Sequence, residues 1–307
     1  MTGGAGVDEA PAAPQFAGTT LAVVTVTYSP GEHLEEFLAS LASATKAQPL
    51  VVVVDNGSVD GAPQAAAAKH PNVVLVESGE NLGFGRGANL GAATARERAG
   101  EVEFYLVANP DVVWGQGSVD ALVDAARRWP RAGAFGPLIR EPDGSPYPSA
   151  RAVPTLFLGA MHAVLVGVWP RNPWTRRYLR RDEELAEREA GWLSGACLLL
   201  RKSAFDEVGG FDERYFMYLE DVDLGDRLAK AGWANVYVPS ARVVHAQGHA
   251  TKRHPARMLR AHHDSAYRFF ADRHAAWWQA PVRFAVRFGL GLRAKVVIAR
   301  RAAAQEQ

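Results

Sequence analysis

The chain has 307 residues, 48% of them apolar and 22% charged. These values exclude a disordered chain, a collagen and a coiled-coil rod, and a chain this long buries roughly 75% of its unfolded surface without needing disulfides. Its one cysteine, Cys197, excludes an internal disulfide framework and a Cys-rich zinc site. Net charge is only +1, yet residues 251–307 hold 12 Lys and Arg against 3 Asp and Glu, while residues 1–250 hold 22 against 30. A mildly acidic body thus carries a basic C-terminal segment. Such a segment is either a solvated helical face or the seat of an anionic partner: a membrane surface, a lipid phosphate or nucleic acid.

Residues 1–18 are rich in Gly, Ala and Pro and lack a basic start and an apolar run, so they read as a disordered lead-in and not a signal peptide. Leu21–Tyr28 is β-branched and nearly continuously apolar, as in a strand covered on both faces. Leu34, Phe37, Leu38 and Leu41 follow at helical spacing. Leu50–Val54 predicts a second buried strand, Pro63–Lys69 a helix and Val73–Val76 a third strand. A Gly-rich turn over Asn81–Gly87 opens a helix to about Arg98, and Phe104–Val107 predicts a fourth strand. This alternation predicts a parallel, doubly wound α/β sheet with helices on both faces.

Further along, Ser118–Trp129 reads as helix, Ala134–Ile139 as strand, Pro142–Pro154 as a turn-rich loop and Arg171–Arg188 as charged surface. The apolar run Leu156–Trp169 is too short to span a bilayer and suits a buried or interfacial helix. Trp192–Leu200 predicts one buried strand, Glu220–Ala231 a helix and Trp233–Val238 a strand. From about Ala256 the chain reads as basic helices bearing Tyr267, Phe269, Phe270, Trp277, Trp278, Phe284 and Phe288.

Ligands of an open parallel sheet bind beyond the carboxyl ends of its strands. Three polar clusters fall there: Asp55-Asn56-Gly57-Ser58, Asn81–Asn89 and Asn109-Pro110-Asp111. Each alone is also an ordinary turn, but three along one edge point to a shared site. Gly83–Gly87 matches a dinucleotide fingerprint only loosely, since Ala88 stands where a glycine is needed, and no Walker motif is present. Asp111 suits a divalent cation shared with a diphosphate, or a cap. Glu220, Asp221 and Asp223 either cap a helix or supply a general base beside the aromatic segment Tyr215–Tyr218. His245 is a metal ligand or a structural histidine.

Together these motifs resemble family-2 glycosyltransferases of the GT-A fold. The carriers are Val26-Thr27-Tyr28, residues 55–58, residues 81–89, Asn109-Pro110-Asp111, Gly209–Glu213 and Phe216–Leu224, over about residues 20–250. Residues 126–133, 170–174 and 272–274 look like the rhamnosyltransferase branch. The resemblance implies a GT-A domain over 19–250, with a Rossmann-like, mostly parallel sheet, and a basic, aromatic helical segment over 251–307. It implies inverting transfer of L-rhamnose from dTDP-L-rhamnose to a polyprenyl-diphospho-GlcNAc acceptor in building a cell-wall linker. The enzyme would be cytoplasmic, peripheral on the inner face of the cell membrane, with no nucleic-acid partner.

By the same resemblance Thr27, Tyr28, Asp55, Asn81, Gly83, Arg86 and Asn109 would bind the nucleotide sugar. Asp221 would be the base, Glu220 and Asp223 would contact acceptor or sugar, and Asp111 with His245 would hold Mg²⁺ or Mn²⁺. Asn109 replaces the first Asp of the family's Asp-x-Asp pattern, so metal ligation rests on the other two. The alternatives are a different nucleotide-sugar donor, or a non-catalytic protein that binds a nucleotide or polyprenyl diphosphate. A nucleic-acid binder would lose affinity steeply with salt and tolerate changes at Asp221.

Overall fold

The computed structural model describes residues 20–153, 169, 185–246 and 255–305. The lead-in over 1–18 and the apolar run over 156–168 lie outside the described residues, as does most of the charged stretch beyond it.

The first half alternates as its sequence predicts. Strands β1 (Leu21–Thr27), β2 (Leu50–Asp55), β3 (Val73–Glu77) and β4 (Phe104–Ala108) alternate with helices α1 (His33–Ala44), α2 (Ala62–Lys69) and α3 (Phe84–Ala99). They pair in parallel in the order β3-β2-β1-β4. β2 is buried along its whole length, which is why it carries an unbroken apolar run before Asp55. Alternate residues feed opposite faces. Val51 and Val53 pack with Leu34, Phe37 and Leu41 of α1, while Val52 and Val54 pack with Ala88, Ala92 and Ala95 of α3. Burying each large side chain contributes about 1.5–3 kcal/mol. α3 lies unusually close to β1 because Gly91 faces Val24, where an added Cβ would sit 2.3 Å from a Val24 methyl.

The second half adds β5 (Val112–Trp114), α4 (Ser118–Arg128), β6 (Ala132–Arg140), β7 (Pro146–Tyr147), β8 (Ala150–Arg151), β9 (Arg188–Ala190), β10 (Trp192–Leu193) and β11 (Cys197–Arg201). After these come α5 (Lys202–Glu207), α6 (Glu220–Lys230) and β12 (Ala234–His245). The full sheet order is β3-β2-β1-β4-β11-β6-β12-β5. Off this path β7 pairs with β6 and β9 with β12; β11, β5, β7 and β9 run against the other six, so the sheet is mostly parallel.

Four expectations are corrected in detail. The helix α3 begins at Phe84, so Gly85 and Gly87 are helical instead of part of the turn. The loop over 142–154 carries β7 and β8. The single strand expected over 192–200 is two: β10 pairs with β8 in a separate ribbon, and β11 joins the main sheet. Both halves are buried, so the apolar pattern runs on while the chain turns at Ser194-Gly195-Ala196. β12 runs on to His245, because a register shift between Val238 and Arg242 lets the ladder pass Pro239, which has no N–H to give.

The C-terminal segment forms α7 (Pro255–Arg273), a 3₁₀ turn (Trp277–Gln279) and α8 (Ala280–Gln305). α7 packs on the body: Phe269 joins Trp192, Tyr215 and Val222 in one apolar cluster, and Arg214 binds Asp272 at 2.7 Å. The Ser265 hydroxyl donates to the Met217 carbonyl at 2.9 Å.

Candidate active site

The ends of β1, β2 and β3 are laced together. Asp55 is buried and accepts hydrogen bonds from Thr27 Oγ1 at 3.0 Å and the Ser58 amide at 3.1 Å. Ser29, at φ 52°, donates its amide to Ser58 Oγ at 2.7 Å, which leaves Tyr28 partly exposed at the rim. Asn81 Oδ1 accepts from the Gly83 amide at 3.0 Å, and Asn56 Nδ2 donates to the Gly83 carbonyl at 3.1 Å. Gly83 is required twice: its φ is +80°, and an added Cβ would lie 2.1 Å from the Phe216 carbonyl oxygen. The Phe84 amide donates to that same oxygen at 3.1 Å, docking the 211–219 loop on the start of α3. Arg86 lies beside it, 3.6 Å from Glu213.

Asn109 follows directly on β4, and the antiparallel pairing of β5 with β12 sets His245 opposite Val112. His245 Nε2 is therefore 3.0 Å from Asp111 Oδ1 and 3.1 Å from Asn109 Nδ2. One ring nitrogen cannot both donate to the carboxylate and accept from the amide. Turning the Asn109 amide over would instead aim its oxygen inward, and a nitrogen lone pair and oxygens would converge. Neighbouring ligands of an octahedral Mg²⁺ with bonds of about 2.1 Å lie about 3.0 Å apart. Asp111 and His245 fit a hard divalent cation on both counts. Among the described residues no third His, Cys, Asp or Glu completes the set, so substrate oxygens and water would fill the remaining positions.

The strained turn at Tyr218 (φ 69°) and Leu219 (φ 64°) presents the first turn of α6. Asp221 Oδ2 accepts from the Gly195 amide at 2.9 Å, and its Oδ1 accepts from the Val222 amide at 2.8 Å. Burial raises the Asp221 pKa above the usual carboxylate range, against the pull of those two amides and of the Arg151 charge. The Cβ of Glu220 packs over Gly85, and its Oε2 has no hydrogen-bond partner among the described residues. Burial first, then the Asp221 charge, pushes Glu220 up to about 8. Of the two, Glu220 keeps the proton and Asp221 the charge, because Asp221 is held by two amides of other residues while at Glu220 burial and the Asp221 charge outweigh its own backbone amide. Asp223 sits on a different face of α6, ion-paired with Arg227 at 2.6 Å, a structural contact facing away from Asp221.

A carboxyl with a raised pKa binds its proton more tightly when folded, so it contributes stability below its ordinary value that is lost as pH rises. Wild-type Tm should fall between about pH 5 and pH 8, and Glu220→Gln should flatten that fall. Equal slopes in a thermal melt series would show that Glu220 is already ionised.

One turn joins the two chemical centres. The Asn109 amide donates to the Ala196 carbonyl at 3.0 Å, and Gly195 next to it holds Asp221. Sequence reasoning missed this turn, although a lone glycine inside a strand pattern marks a bulge or close approach. It also missed Arg151.

Polar clusters at the strand ends, the Asp111–His245 pair and a buried, amide-held carboxylate suit a nucleotide-sugar transferase. A family model described as glycosyltransferase like family 2 matches residues 17–264, and the chain belongs to that family. It is 60% identical over 284 residues to the N-acetylglucosaminyl-diphospho-decaprenol L-rhamnosyltransferase of Mycobacterium tuberculosis, covering 91% of this chain and 92% of the relative. It is 25% identical to the rhamnosyltransferase WbbL of Escherichia coli, covering 81% of this chain and 92% of that one. Among solved structures, the Pyrobaculum calidifontis mannosyltransferase PcManGT with GDP-Man and Mn²⁺ aligns at TM-score 0.56 and 19% identity, over 94% of this chain and 81% of that chain. GalNAc-T7 with UDP, GalNAc and Mn²⁺ aligns at 0.55 and 16%, over 74% and 44%. The GT-A-like fold is common to all.

Proposed function

We propose that the protein transfers L-rhamnose from dTDP-L-rhamnose to a polyprenyl-diphospho-GlcNAc acceptor, with inversion, at the inner face of the cell membrane. The carrying observation is Asp221, a charged carboxylate held by two amides and joined through one turn to the Asp111–His245 pair. The 60% identity to the mycobacterial rhamnosyltransferase supports the choice of sugar and acceptor.

Thr27, Tyr28 and Asp55 bind the nucleoside, and Asn81, Gly83, Arg86 and Asn109 line the donor pocket. Asp111 and His245 would hold a divalent cation, Mg²⁺ or Mn²⁺, which would offset charge on the departing diphosphate. Asp221 takes the proton of the acceptor hydroxyl as that oxygen attacks the anomeric carbon from the face opposite the diphosphate. Glu220 supports Asp221 from behind by remaining protonated.

Turnover of dTDP-rhamnose and of UDP- and GDP-sugars against lipid-diphospho-GlcNAc tests this. Rhamnosyl transfer is expected, and transfer only from another nucleotide sugar would overturn the donor assignment.

The membrane reading rests on the C-terminal surface. Trp277 is 82% exposed, and Trp278, Phe284, Phe288 and Leu292 are exposed beside it. Phe284, Phe288 and Leu292 repeat every four residues and so share one face of α8. Arg283, Arg287 and Arg293 are interleaved with them. Among the described residues no helix is long and apolar enough to cross a membrane, but aromatics with arginines suit the interface. Replacing Trp277, Trp278, Phe284 and Phe288 together by Ala should lower partitioning onto anionic liposomes at least about tenfold, at ~1.4 kcal/mol per decade. Unchanged cosedimentation would remove this surface from the membrane.

A further inference from the structure

We propose that Arg151 is the binding site for the acceptor's diphosphate, so that it selects lipid-diphosphate acceptors over neutral glycosides. The inference rests on the glycosyltransferase reading above and names how its acceptor is recognised.

Arg151 is built as a rigid fork. Its Nε donates to the Pro148 carbonyl at 2.6 Å. Its guanidinium carbon lies 5.1 Å from the ring centres of both Tyr147 and Trp192. The β8–β10 ribbon sets Arg151 directly opposite Trp192, and Trp192 is itself fixed, buried against Val222 of α6. The side chain is half-buried, yet its two terminal nitrogens make no hydrogen bond, and no carboxylate pairs with it, among the described residues. A half-buried arginine usually has a carboxylate partner; this one is held in place by rings and a carbonyl, and among the described residues nothing takes up its charge or its N–H fork.

Its location supplies the ligand. Gly195, whose amide holds Asp221, stands three residues beyond Trp192. The Ser194 amide, next to Gly195, donates to the Ser149 carbonyl at 2.8 Å, two residues before Arg151, and the Arg151 charge lowers the Asp221 pKa from there. The 149–151 and 192–195 segments thus bring the base and a cation with no carboxylate partner among the described residues to one end of the ribbon. The acceptor presents the same two features in reverse: a hydroxyl to lose its proton, and across the sugar ring a diphosphate. Guanidinium forks match phosphate oxygens bidentately, and stacking on aromatic faces leaves the N–H edge free to do so. The donor diphosphate has a separate place at Asp111 and His245.

The test compares lipid-diphospho-GlcNAc with a neutral alkyl GlcNAc glycoside for the wild type, Arg151→Lys and Arg151→Gln, each confirmed folded by thermal melt. Arg151→Gln is expected to raise KM for the diphosphate acceptor tenfold or more, and Arg151→Lys less, since it keeps the charge but loses the fork. KM for the neutral acceptor and dTDP affinity by calorimetry should stay unchanged, while the kcat–pH profile of Arg151→Gln should move to higher pH, because the charge that holds the Asp221 pKa down is gone. Equal losses on both acceptors would make Arg151 a positioning residue for Asp221 and overturn the proposal. Weakened dTDP binding would assign it to the donor and overturn it as well. A wild type that transfers rhamnose to neither acceptor would overturn the functional reading and this inference together, whereas transfer to both with equal KM changes overturns only the inference.

Discussion

Asp221→Asn is expected to lower kcat by about 10²–10⁴, the usual contribution of a general base. The substitution keeps the shape of the side chain, and the amide oxygen can still accept from Gly195 or Val222. It removes only the capacity to take a proton. Donor binding should therefore stay within about threefold by calorimetry, a change under ~1 kcal/mol. Successive helix residues point about 100° apart, so neither neighbour can substitute. The Cβ of Glu220 packs over Gly85, and Asp223 is spent on Arg227. Asp223→Asn should act mainly on Tm, through the lost ion pair, with kcat little changed. A wild-type kcat in Asp221→Asn, with kcat abolished in Glu220→Gln or Asp223→Asn, would move the base to that neighbour.

Removing the divalent cation with EDTA is expected to abolish transfer, and Mg²⁺ or Mn²⁺ to restore it. Asp111→Asn and His245→Ala should each cost at least about 10² in kcat/KM, the scale seen when one transition-state charge stabiliser is lost. Without a cation, His245 and Asp111 satisfy each other across 3.0 Å, so the fold should survive chelation. Binding to the folded form raises stability by mass action. With dTDP already present, added Mn²⁺ should therefore raise wild-type Tm further and leave that of Asp111→Asn unmoved. Full turnover in chelator, with no Mn²⁺-dependent Tm shift, would sink the cation assignment and leave the pair a structural contact.

The sequence by itself determined the parallel half of the sheet. Burial on both faces demands unbroken β-branched runs, as in β2, and one-sided burial demands the spacing of Leu34, Phe37 and Leu41; both are local properties, readable in a short window. It also determined which polar clusters stand at the strand ends, because a chain leaving a parallel strand must turn there. Only the tertiary structure decided what meets what. The three-residue β5 is too short to carry a periodic signal, yet its antiparallel pairing with β12 is what carries His245 to Asp111, 134 positions away in the chain. The break at Ser194-Gly195-Ala196 hid inside a run that is apolar throughout, since burial continues while direction changes. Arg151 reads in sequence as one more surface cation. The rings around it come from a two-residue ribbon that pairs positions 151 and 192 across long-range contacts, which no local pattern encodes.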